Sequence, residues 1–147
     1  MKKLLCLCAA LLLVLLTACG SSSGSEKVYT LEGCSYKLPA SWTDNSTDNF
    51  KMYTDPDDTA AVNVSFDDQS PEYRTPLADR LQDVAYDLEA ASIDGHDVDV
   101  FVYRQDDFFY HDFEVVLDDK AYHFTFISKN ETHDYYEPFL KSIKFNE

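Results

Sequence analysis

The stretch "DVDVFVYRQDDFFYHDFEVVLDDKAYHFTFIS", Asp97 to Ser128, decides how this chain folds. Val98, Val100 and Val102 alternate with Asp99, Phe101 and Tyr103, the period-two pattern of a strand whose two faces differ. Gln105-Asp106-Asp107 then turns the chain into a second run, Phe108 to Leu117, and Asp118-Asp119 turns it into a third, Lys120 to Ser128. Aspartate suits both turns because its short side chain bonds nearby backbone and tolerates left-handed conformations. The stretch therefore reads as a three-stranded antiparallel meander. Aromatic side chains fall on both of its faces, so both faces need cover.

Working outward, Val28–Leu31 and Ser35–Leu38 are short β-prone runs around a Glu32-Gly33-Cys34 hairpin turn. Phe50–Tyr53 and Ala60–Phe66 flank "TDPDDT", and Val62, Val64 and Phe66 share one face. Cover is expected from two helices. In "TPLADRLQDVAYDLEAAS", Leu77, Leu81, Val84 and Leu88 form an amphipathic stripe, with Thr75 as N-cap, Pro76 in the first turn and Asp94-Gly95 ending the region. A second helix within Glu131–Ser142 buries Tyr136, Phe139, Leu140 and Ile143, and Pro138 delays its regular part until near Glu137. The element order is ββββ–α–βββ–α. This predicts an α+β fold: one antiparallel sheet of about six to seven strands with a helix on each face.

At the other end of the chain, the apolar run Leu4–Leu16 follows the cationic Met1-Lys2-Lys3. About thirteen residues are too few for a span, which takes roughly 20, so the run reads as a secretory signal. Leu16-Thr17-Ala18-Cys19 resembles the bacterial lipobox. That resemblance implies cleavage before Cys19 and a diacylglycerol, with palmitate-class chains, on its thiol. Residues 1–18 are then a lipoprotein signal peptide and 19–27 a lipidated cysteine with a flexible Gly/Ser tether, which reaches roughly 15 Å. Residues 28–147 form the domain, placed on the extracytoplasmic face of the cell membrane. Cys6 and Cys8 fall in the discarded segment and make no metal site.

"SYKLPASW", Ser35 to Trp42, resembles the early strand, proline and tryptophan of PsbP-like domains. "YYEPFLKSIKF", Tyr135 to Phe145, resembles their closing helix and tail. The family includes extrinsic photosystem II subunits, a nuclear import factor that binds the small GTPase Ran, and bacterial lipoproteins of unassigned role. The resemblance implies a non-catalytic accessory or binding domain. The photosystem subunits carry a longer functional N-terminal arm, which the tether here does not match.

Charge narrows the partners. The full chain carries −15, and loss of Lys2 and Lys3 makes the remainder two units more negative. Such a surface repels nucleic acid phosphates and anionic headgroups, so the lipid, not electrostatics, must hold the membrane. A monomeric domain with a protein partner is expected.

The chemistry-bearing residues point to no reaction. Within residues 28–147, neither G-x-S-x-G, H-E-x-x-H, a Walker loop nor C-x-x-C is present. Cys34 reads as an inert thiol at a turn, with an intermolecular disulfide as its alternative. His111 and His123 lie mid-strand near Asp112 and Glu114, where a metal site can be imagined, although a structural role for them is the commoner outcome. Acidic loops make calcium the better metal, with Asp55, Asp57 and Asp58 as weak candidates and Asp67 and Asp68 nearby. An EF-hand frame from Asp55 fails, because Ala60 and Phe66 stand where Gly and Glu are required. No firm metal site, no catalytic residue and no cofactor are assigned. Trp42 and Leu38 read as core; Tyr53, Tyr73 and Tyr103 read as surface tyrosines. Three functions are ordered accordingly: a membrane-tethered accessory domain that binds protein, then a small-ligand or calcium module using acidic loops, then a hydrolase.

Overall fold

Glu32-Gly33 and Asp94-Gly95 each place both turn residues at positive φ (45° and 89°, 50° and 86°), the backbone of a tight two-residue hairpin. In the computed structural model, which describes residues 24–48 and 50–146, these hairpins organise two antiparallel sheets. The expected signal peptide (1–18), the expected lipidation site Cys19 and the first residues of the expected tether lie outside the described residues.

The smaller sheet holds β1 (Glu26–Leu31), β2 (Cys34–Pro39) and β10 (Lys144–Phe145) in the order β1-β2-β10. The larger holds β3 (Thr43–Asp44), β4 (Phe50–Thr54), β5 (Ala60–Asp67), β6 (Asp87–Ile93), β7 (His96–Gln105), β8 (Phe108–Leu117) and β9 (Lys120–Ser128). Its order is β3-β4-β5-β9-β8-β7-β6, so the expected meander β7-β8-β9 forms and β5 returns beside β9. The helices are short: α1 spans Leu77–Arg80 and α2 spans Tyr136–Ser142.

The expected single sheet is thus two sheets, because β1 and β2 pair with β10 instead of joining the larger sheet. Two residues expected before the domain are part of it. Glu26 and Lys27 belong to β1, paired with Pro39 and Leu38.

The largest correction falls on residues 75–92, expected as one helix. Only Leu77–Arg80 is helical, and Asp87–Ile93 is the strand β6, hydrogen-bonded to β7 with Ala91 opposite Val98. Leu77 and Leu81 are buried against Phe101 with Val84 beside them, as the stripe requires, but Leu88 is 56% exposed on the sheet edge. Helix-forming Leu, Glu and Ala residues are overruled here by backbone pairing along β7, a tertiary gain larger than a few tenths of a kcal/mol per residue of propensity. Pro76, not Thr75, takes the capping position and supplies no side-chain bond.

The core lies between the inner face of the larger sheet and the layer formed by β1, β2 and α2. Tyr36, Leu38, Val62, Val64, Val100, Phe113, Phe124, Phe126, Phe139 and Ile143 are almost wholly removed from water. Phe113 and Phe124 stack with centroids 5.0 Å apart, and Phe139 of α2 packs on Tyr36, Phe124 and Phe126. Two buried tyrosines, Tyr36 and Tyr53, satisfy each other through hydroxyls 3.1 Å apart. Trp42 is core, packed on Phe126 and Tyr135. Tyr53, expected at the surface, is buried as well.

Candidate functional site

Alternation along four neighbouring strands delivers a polar array to the outer face of the larger sheet. Asp112 and Glu114 of β8, His123 and Thr125 of β9, Ser65 of β5 and Tyr103 of β7 all have the parity opposite to the core. The register sets Asp112 opposite Thr125, and Glu114 and Ser65 on either side of His123. The loop from Asp68 to Tyr86, with its 3₁₀ turn at Pro71–Tyr73 and α1, passes over part of this face.

Asp112 is buried, yet its carboxylate is held below the usual carboxylate range. Burial pushes it upward, and the His123, Thr125 and Tyr103 side chains outweigh that by stabilising the anion. The Tyr103 hydroxyl donates to Asp112 Oδ2 at 2.7 Å, and its own ionisation is raised by burial and by this bond. His123 Nε2 stands 3.5 Å from Asp112 Oδ1, an electrostatic contact whose geometry falls short of a hydrogen bond. Arg80 closes on Glu114 at 2.6 Å. Ser65 and His123 face each other across β5 and β9 and share no hydrogen bond among the described residues.

Beside this array, Ser65, Arg74, Thr75, Arg80, Glu114 and His123 line a cavity of about 310 Å³. Arg74 enters it from the loop, where its Nη2 donates to the carbonyl oxygens of Gln69 and Asp119, both at 3.4 Å. The sequence reading passed over Arg74 and Arg80. Their signal was available, as two of few basic residues in an acidic chain beside a loop-forming Pro71 and Pro76.

His111 and His123 are not brought together. One residue-parity step separates their faces: His111 points into the core, buried and 4.3 Å from the Tyr136 ring, while His123 faces outward. Burial pulls the His111 pKa below 6.5, against smaller upward effects of Glu89 and Glu131. Cys34 is not at the turn but opens β2, wholly buried. Burial first, and Asp94 second, push its thiol up to about 12. A disulfide to another chain would require β2 to open.

The acidic turns divide between two ends of the larger sheet. Phe109 and Ala60 both pair with Ser128, so Asp57-Asp58 and Asp106-Asp107 stand at one end. Asp67 pairs with Ala121 and Leu117 with Lys120, so Asp67-Asp68 and Asp118-Asp119 stand at the other. Ten residues of β8 separate these ends by about 30 Å. Asp55 is engaged structurally: its carboxylate accepts the Thr59 N–H and hydroxyl at 2.6 Å each and the Ala60 N–H at 3.0 Å. Burial opposes its ionisation, and these bonds outweigh burial. Among the described residues no three His, Cys, Asp or Glu side chains are grouped to hold a metal. Of the three tyrosines expected at the surface, Tyr73 is 77% exposed and Tyr103 is engaged with Asp112.

No family model matches the chain, and no curated protein matches it. Its architecture is nevertheless shared with solved structures. Cyanobacterial PsbP (CyanoP) from Synechocystis sp. PCC 6803 superposes with a TM-score of 0.54 at 17% identity, over 88% of this chain and 98% of its own. The fold is PsbP-like. A crystal structure from Bacteroides thetaiotaomicron VPI-5482 gives a TM-score of 0.58 at 13% identity, over 84% of this chain. This chain spans about half (49%) of the length of that Bacteroides protein. Among the described residues no helix is long and apolar enough to cross a membrane.

Proposed function

We propose that this chain is a lipid-anchored extracytoplasmic lipoprotein whose PsbP-like domain binds a protein partner without catalysing a reaction. The lipobox at Leu16–Cys19 supports the anchor, and the observation that carries the rest is which end of the domain the chain enters. Glu26, the first residue of β1, accepts a hydrogen bond from the Tyr135 hydroxyl at 3.1 Å, and Tyr135 packs on Trp42 beside Phe126. The opposite end of β1 is held by the Tyr122 hydroxyl, which donates to the Glu32 carbonyl at 2.6 Å. Tyr122 lies two residues from the β8–β9 turn.

A tether entering at Glu26 puts Asp57-Asp58 and Asp106-Asp107 on the membrane side and Asp67-Asp68 and Asp118-Asp119 on the far side. The far-side turns are the surface that a basic partner meets. Confinement near the bilayer raises the effective concentration of membrane partners, so a modest contact suffices. Contacts made by exposed carboxylates weaken as salt rises.

Neutralising Asp118 and Asp119 together to Asn, and separately Asp106 and Asp107, tests the reading by partner capture from intact membranes at low and high salt. Asn tolerates the positive φ of Asp118 and Asp106, so the turns survive. Capture should fall, with its salt dependence, only for the Asp118/Asp119 variant. Equal capture by both variants, or turnover of an ester by the purified protein, contradicts it. Calcium is not favoured as a second reading, because Asp55 already accepts three hydrogen bonds from its own turn.

A further inference from the structure

The Asp94-Gly95 turn settles which backbone groups of β6 are free. A two-residue hairpin with both residues at positive φ closes on a mutually hydrogen-bonded pair, here Ile93 and His96. Counting back in steps of two, Ala91, Glu89 and Asp87 bond to β7, while Leu88, Ala90 and Ser92 turn their N–H and C=O groups outward. β6 is the last strand of the larger sheet, and among the described residues no backbone segment pairs with that outward side. Leu88, Ala90 and Ser92 are all exposed. The opposite edge, β3, is only two residues long. β6 has seven residues, with no lysine, arginine or proline to guard it.

We propose that β6 is a docking edge on which an extended basic segment of the protein partner pairs as an additional antiparallel strand. The surrounding side chains choose its charge. Asp87 and Glu89 leave β6 on the face shared with Val100, and Asp97 and Asp99 leave β7 on the outer face. None of the four makes an ion pair among the described residues. Ala90 and Ser92 stand between the edge and Asp99 and Asp97, and their small side chains leave a shallow hollow of about 570 Å³ reaching over both carboxylates. A lysine or arginine opposite Ala90 or Ser92 can lie across that hollow to an aspartate. Leu88, 56% exposed with Phe101 opposite it, takes an apolar side chain. A second copy of this chain is a poor occupant. Its β6 brings the same carboxylates, and antiparallel pairing turns the second domain end for end, so its tether leaves in the opposite direction. Main-chain hydrogen bonds supply affinity in such strand addition, and alternate side chains supply selectivity. The edge goes beyond the acidic turns by naming a segment and its pattern, and it rests on the reading of the domain as a protein binder.

The test uses the intact protein in detergent and the end-capped hexapeptide KVKKVK, whose first, third and fifth residues face Ser92, Ala90 and Leu88. Amide hydrogen exchange by NMR is the readout. KVKKVK should slow exchange saturably at Leu88, Ala90 and Ser92, more so at low salt, and the acidic peptide EVEEVE should not. N-methylation of KVKKVK at its third and fifth residues removes donors that meet the edge and should weaken binding at least about tenfold. Methylation at the second and fourth, which face away, should cost far less. Ala90→Pro deletes an outward N–H and no bond to β7, and should weaken KVKKVK by a similar factor. Glu89→Gln leaves the backbone alone and should reduce both affinity and its salt dependence. Absence of saturable protection would overturn the proposal. Equal binding of the two methylated peptides, or of KVKKVK by Ala90→Pro and the parent, would mean charge attraction alone and overturn it too. So would protection of the three amides in the free protein, from a second copy if it grows with concentration and from this chain's own N-terminal segment if it does not. Partner capture that still depends on Asp118 and Asp119 after such a result would leave the protein-binding reading standing without this edge.

Discussion

The Tyr122 hydroxyl donates a 2.6 Å hydrogen bond to the Glu32 carbonyl oxygen, fastening the tip of the β1–β2 hairpin to the far end of the larger sheet. Nearby, Asp94 accepts both Lys144 Nζ at 2.6 Å and the Phe145 N–H at 2.9 Å, so β10 and the β6–β7 turn join the same knot. Tyr122→Phe keeps the ring contacts with Phe66 and Phe145 and deletes only the hydroxyl. It should lower unfolding free energy by about 1 kcal/mol in urea titration. Hydrogen exchange should quicken at the β1–β2 turn and not at the Glu26 end.

The strand assignment of residues 87–93 has its own test. Leu81→Asp puts a carboxylate against Leu77 and Phe101 and should destabilise the domain by several kcal/mol. Leu88→Asp, on the exposed edge, should stay within about 0.5 kcal/mol of the parent. A continuous helix over residues 75–92 would bury Leu88 and make both variants costly.

That contrast shows what the sequence made legible. Period-two alternation in residues 97–128 located β7, β8 and β9 almost to the residue, because each has one face in the core and its turns are acidic pairs. Residues 76–84 were read correctly as an apolar stripe. Residues 87–93 were not, since Leu, Glu and Ala have strong helix preference and nothing in them announces an edge strand. Asp94-Gly95 was the missed signal: such a pair between runs marks a two-residue hairpin more strongly than it marks a helix end. The cavity was legible only in part. His123, Asp112 and Glu114 were singled out, but placing Ser65 beside His123 needs the β5–β9 register, and Arg74 comes from a loop with no period to read. His111 and His123 could be imagined near one another only because register and parity were unknown: His111 stands opposite Phe126, three residues from His123, and parity sends the two to opposite faces.

Acid should loosen the core through His111. Its folded pKa lies below the 6.5 of a free imidazole, so the unfolded chain binds the proton more readily. Stability is then full above about 6.5 and declines as pH falls below it. His111→Phe should flatten urea midpoints between about pH 6.5 and 5, measured against the parent. An unchanged slope would mean that other groups carry the acid sensitivity.

Anchoring is tested by Cys19→Ser. The variant should lose incorporation of a labelled fatty acid and leave the membrane fraction or keep its signal uncleaved. Each buried CH₂ contributes about 0.8 kcal/mol, so two or more chains on Cys19 would hold the domain without help from its acidic surface. A processed, labelled and membrane-bound variant would contradict the lipobox reading.

The most direct measurement of the central claim is site-specific photo-crosslinking in intact cells, from Asp119 on the far end and from Asp107 on the tether side. The account predicts a defined protein adduct from position 119, absent from position 107 and lost when Cys19 is replaced by Ser. An adduct from position 107 alone, or equal adducts from both, would contradict a domain that is held at the membrane by one end and binds its partner with the other.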